Sequence, residues 1–184
     1  MIYPVYIYGH PVLRRKSVDI DKDYDGLDEF IESMFETMYK AEGVGLAAPQ
    51  VGKNIRLFVM DGTIYEDEEP DLADSKQVFI NANIIERDGE LVPMNEGCLS
   101  IPNIREDVDR ESRIRIQYYD ADWNFHDEVM EGFKARIIQH EYDHLDGILF
   151  TDKVSPIRRR LLKGKLSAMS KGKFNADYKT VIAR

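Results

Sequence analysis

The chain has little of what export or membrane insertion would require. Its 184 residues contain one cysteine, Cys98, which excludes an internal disulfide and fits a reducing compartment. No stretch approaches the roughly 18 consecutive apolar residues that would span a bilayer. The opening, MIYPVYIYGH, lacks a basic leader, an apolar run and a small-residue cleavage site, so the sequence reads as cytoplasmic. Gly/Ser linkers, proline-rich tracts and internal repeats are missing as well. A composition of 43% hydrophobic and 32% charged residues then fits one globular domain over residues 1–184.

Positive charge is scarce until the end. The net charge is −9, yet from Lys153 to Arg184 ten Lys or Arg stand against one acid, Asp177, leaving −18 for the remainder. Such a basic helix and tail is either a solvated face or a docking element for an anionic surface such as RNA. The acidic stretch EDEEPDLAD, Glu66 to Asp74, reads as a surface loop with nothing to bury.

The order of elements is α+β. In GLDEFIESMFETMYKAEG, Leu27, Phe30, Ile31, Met34, Phe35, Met38 and Tyr39 form one apolar stripe at helical spacing, with Asp25 to cap it and Gly43 to end it. IRLFVMD, KQVFINANIIE and SRIRIQYYD are rich in β-branched and aromatic residues and predict antiparallel strands; DADWN turns into a further one, FHDEVMEGF. Near Phe133 the period becomes helical, and Pro156 opens a last helix to about Ser170. The expectation is antiparallel strands packed around a central buried helix, flanked by an N-terminal amphipathic helix and a C-terminal one.

That central helix carries IIQHEYDHLDG. Phe133, Ile137, His140, Glu141 and His144 share about a third of its circumference. Ala135, Ile138, Tyr142 and Leu145 lie roughly opposite, with Arg136, Gln139 and Asp143 between. Burying two imidazoles and a carboxylate without partners would cost several kcal/mol. A divalent metal satisfies them: histidines at i and i+4 reach one ion, and the intervening glutamate serves as general acid/base on a water held there.

The alternative is a chance match, two core or surface histidines near a salt-bridged glutamate, and a third ligand decides between the two. A metzincin needs a histidine where Phe150 stands, and a thermolysin-like site needs a later glutamate, absent beyond His144. Cys98, in NEGCLSIP, remains, in a loop punctuated by Pro93 and Pro102. A thiolate and two imidazoles leave a centre of net charge +1 with one position for water, a catalytic arrangement. Cysteine–histidine nucleophilic catalysis is the rival use of these atoms, and it gives the second histidine and Glu141 no task.

With EGCLS and QHEYDHLDG, the stretch GVGLAAPQ (Gly43 to Gln50) completes a set that resembles, in order and spacing, the three signature motifs of the peptide deformylases. The opening YGHPVLRRKS is also similar, so the resemblance runs to about Phe150. It implies an enzyme that removes the formyl group from the N-terminal methionine of newly made polypeptides. It further implies Cys98, His140 and His144 as ligands, Glu141 as general acid/base, and Gln50 with the backbone N–H of Leu99 as donors to the formyl oxygen. Gly45 and Gly97 would lend backbone groups to the peptide, while Val44, Met94, Phe133 and Ile137 match the methionine pocket. Glu96 and Arg105 align near the peptide, and Arg110 can pair with an acid such as Asp143. The family's ion is generally ferrous iron, with zinc, nickel or cobalt able to replace it. Some bacterial members end in a basic helix that contacts the ribosome, and PIRRRLLKGKLSAMSKGK is similar in composition. The remaining readings are a monomeric enzyme of this kind, another HExxH metallopeptidase, and a non-catalytic metal-binding module that docks on ribosomes.

Overall fold

Alternation along short apolar strands sets the frame, seen in a computed structural model that describes residues 1–183. Strand β1 (Val5–Tyr6) precedes helix α1 (Leu27–Lys40), and β2 (Gly45–Ala47) and β3 (Leu57–Met60) follow. The long pair β4 (Gln77–Cys98) and β5 (Ile101–Tyr119) leads to β6 (Phe125–Glu131). Helix α2 (Gly132–Leu145), helix α3 (Pro156–Ser170) and β7 (Thr180–Val181) complete the order. Strands β2-β3-β4-β5-β6 form one antiparallel sheet, and β7 pairs in parallel with β1.

All four residues of β3 are buried, because the sheet is covered on both faces there. Leu57 and Val59 pack with Leu27, Ile31, Met34 and Met38 of α1. Phe58 and Met60 turn to Ala135, Ile138, Tyr142 and Leu145 of α2. A third cluster joins Ile101, Ile104 and Val108 of β5 to Leu162, Leu166 and Met169 of α3. Ile138 is fully buried, so truncating it to alanine would cost about 2–5 kcal/mol.

Several expectations need correction. Tyr39 leaves the buried stripe of α1 and is half exposed, while Phe35 is partly buried at its margin against the same cluster, and Lys76 lies over both rings. Asp25 makes no cap, since Gly26 takes that position in a left-handed conformation (φ 69°). At the other end the left-handed residue is Glu42 (φ 56°), and the Gly43 N–H closes the turn on Met38 O at 2.9 Å. The acidic stretch does bury something: Leu72 is fully enclosed in the α2 cluster and anchors an otherwise exposed segment. Helix α3 spans the predicted Pro156 to Ser170, and the Ser155 hydroxyl accepts from the Arg158 N–H.

Candidate metal centre

Cys98 is not in a loop but is the last residue of β4, paired with Ile101 across the two-residue turn Leu99–Ser100. A register shift between Gly97 and Cys98 re-aims the side chain there, as bulges do. Opposite it, one turn of α2 presents His140 and His144. The ligand atoms of Cys98, His140 and His144 lie within 4.8 Å of one another, with Cys98 Sγ 3.3 Å from His144 Nε2.

Beneath the histidines sits a buried charge cluster. Glu96 Oε2 accepts from His140 Nδ1 at 2.9 Å, which leaves the other ring nitrogen of His140 for the centre. Arg110 bonds both Glu96 oxygens, at 2.6 and 3.0 Å, and reaches Asp143 at 2.7 Å. Arg136 adds a bond to Glu96 Oε1 at 3.0 Å and another to Val108 O at 2.9 Å. The strip expected between the two faces of α2 is therefore buried as well, against β4 and β5, through Arg136, Gln139 and Asp143. Burial alone would raise the Glu96 carboxyl, but His140 and Arg110 hold it well below the usual range. For His140, burial is outweighed by hydrogen bonds to Cys98 and Glu96, which lift it well above its ordinary value. His144, buried and facing His140 and Arg110, lies well below.

Glu141 is buried, and its Oε2 has no hydrogen-bond partner among the described residues. Burial, opposed by His140, pushes its carboxyl up to about 7. The carboxylate fits only because position 45 lacks a side chain: a Cβ on Gly45 would lie 2.5 Å from Glu141 Oε1. Gln50 closes the other side. Its Oε1 accepts from the Ala47 N–H at 2.8 Å, and its Nε2 stands 3.4 Å from Cys98 Sγ and 3.2 Å from Ser100 Oγ.

The fit to a divalent ion rests on these atoms: one thiol and two imidazoles converge beside a buried carboxylate oxygen that lacks a partner. The outer residues are less tightly gathered. Val44 and Phe133 pack with Ile137 in one apolar cluster. Met94 is half-buried on β4, paired with Val108. Arg105 is exposed and directs its guanidinium to Asn95, at 2.8 and 2.9 Å. The other two histidines stay outside the centre: His10 caps a short 3-10 turn, and His126 bonds Asp120. Sequence reading missed Ser100 and Tyr178. Tyr178 donates to Leu99 O at 2.7 Å, and no local pattern points to it. Its phenol is pushed up to about 12 by burial, with Cys98 and Asp177 adding to it.

The chain as a whole is similar to known proteins. A family model described as polypeptide deformylase matches residues 2–160. A curated peptide deformylase of Christiangramia forsetii is 54% identical over 186 aligned residues, covering 97% of this chain and 95% of that protein. The crystal structure of peptide deformylase from Thermotoga maritima is 41% identical with a TM-score of 0.76, covering 85% of this chain and 99% of that one. A Plasmodium falciparum peptide deformylase structure is 34% identical with a TM-score of 0.82, covering 91% and 95%.

Proposed function

The chain belongs to the peptide deformylase family, and on that premise we propose how its residues divide the removal of a formyl group from the N-terminus of a nascent peptide. The reaction is a metal-dependent hydrolysis of formylated peptides. Cys98, His140 and His144 would hold the divalent cation, which when bound would supply Lewis acidity to the reaction. Glu141 takes a proton from the attacking water and delivers it to the departing amine. Gln50 Nε2 and the Leu99 N–H donate to the formyl oxygen as charge develops on it, a contribution of about 10²–10³ in rate for one donor. Gly45 and Gly97 offer backbone groups to the extended peptide, and Val44, Met94, Phe133 and Ile137 line the methionine pocket. Glu96 fixes the ring of His140, and Arg105 stands near the peptide.

The unpartnered, buried oxygen of Glu141 beside the three ligands carries this reading. A carboxyl that burial pushes up to about 7 is suited to accepting and returning a proton. Glu141→Ala should lower formate release by at least about 10²–10⁴ while the bound metal stays. Near-normal turnover by that variant would refute the role.

Ferrous iron is the native ion in this reading, with zinc, nickel or cobalt able to take its place. Residues 1–184 act as one catalytic unit, monomeric and cytoplasmic. Its basic stretch from about Lys153 touches the ribosome, where Arg160, Lys163 and Lys165 are exposed on α3. No helix among the described residues is long and apolar enough to cross a membrane.

A further inference from the structure

The turn that carries Leu99 is of a kind that does not hold itself. Cys98 pairs with Ile101 across it, and neither Leu99 nor Ser100 has a positive φ. Two-residue loops that match the twist of their strands require such residues, and others splay the strands. The register shift before Cys98 interrupts the ladder just where it would steady the turn.

Three donors from elsewhere make up for this. Gln50 Nε2 lies 3.2 Å from Ser100 Oγ, the Tyr8 N–H donates to Ser100 O at 2.9 Å, and the Tyr178 hydroxyl donates to Leu99 O at 2.7 Å. On the far side, the Leu99 side chain is wedged against the backbone after α1; a Cβ on Gly43 would come within 2.9 Å of it.

Tyr178 lies beyond residue 160, where the family match ends, in a segment firmly tied down. Thr180–Val181 runs in parallel on Val5–Tyr6. Lys179 O and Val181 O accept from the N–H groups of Val5 and Ile7 at 2.8 and 2.9 Å. Asn103 Nδ2 donates to Asn175 O at 2.8 Å. The chain continuing from β1 supplies Tyr8, so this strap grips both carbonyls of the turn.

We propose that Tyr178 is a positioning residue for deformylation: by holding the Leu99 carbonyl it fixes the turn and, with it, the aim of the Leu99 N–H at the formyl oxygen. The proposal rests on the reading of that N–H as an oxyanion donor. Such a donor accelerates the reaction only if it is oriented before charge develops, and a displacement of about 1 Å can cost roughly 10² in rate.

Tyr178→Phe removes the hydroxyl and keeps the ring. With a formyl-methionyl peptide, kcat should fall roughly ten-fold and KM should stay within about two-fold, with metal content and melting temperature near those of the parent. A loss of kcat that merely follows lost metal or lowered melting temperature overturns the proposal. An unchanged kcat also overturns it; if Gln50→Ala, assayed in parallel, is impaired, the oxyanion reading still stands. If both variants turn over at the parent rate, both ideas fall.

Discussion

Replacing Arg110 with methionine tests whether the buried charge cluster supports the metal centre. Arg110 is 2% exposed and makes charge-assisted bonds of 2.6 and 3.0 Å to Glu96 and 2.7 Å to Asp143. Methionine keeps much of the length and none of the charge. Glu96 would retain Arg136 and His140, but among the described residues Asp143 would keep only Lys153, 3.6 Å away and partly solvated. Removing one partner of a buried ion pair costs about 3–5 kcal/mol, because the other charge is left uncompensated. For a chain of this size each kcal/mol moves the melting temperature by roughly 2–4 °C, so the fall should be about 6–20 °C. Circular dichroism melts at saturating metal measure it. Arg110→Met with Asp143→Asn should recover part of the loss, since the stranded charge is then gone. A fall below about 3 °C in the single variant, or no recovery in the double, would refute the reasoning.

Gly45→Ala places a methyl 2.5 Å from Glu141 Oε1, so formate release should drop by about 10² or more; parent-like activity would mean the carboxylate moves freely. Protein purified without oxygen should hold one iron per chain and lose activity in air as the Cys98 thiol oxidises; zinc in that preparation would reverse the choice of ion. Changing Arg160, Lys163 and Lys165 together to glutamine should flatten the salt dependence of ribosome binding, whereas an unchanged slope would leave α3 merely solvated.

What the sequence displays is periodicity, and periodicity located the three helices, β3 and β6, but only the first half of β4 and the second half of β5, and none of β1, β2 and β7. The 3.6-residue spacing put His140, Glu141 and His144 on one face of α2, and Pro156 marked the start of α3. What it hides is which charges turn inward. Along β5 the residues facing the interior are Ile104, Glu106, Val108 and Arg110, so hydrophobic alternation is broken by an acid and a base that are buried only because partners await them. Those partners, Glu96, Asp143 and Arg158, come from three other elements. Cys98 was visible as a ligand by elimination, yet its place at a strand end depends on a bulge that leaves no mark in composition. Tyr178 was invisible for a simpler reason: its contact with Leu99 joins residues 79 positions apart, and no periodic pattern links them.

The parallel pairing of Val5–Tyr6 with Thr180–Val181 has a temporal meaning. During translation the thiol and both imidazoles leave the exit tunnel before Tyr178, whose hydroxyl bonds the carbonyl of the Leu99–Ser100 turn. A protein whose work is on growing chains thus cannot complete its own framework while its final stretch is still being threaded out.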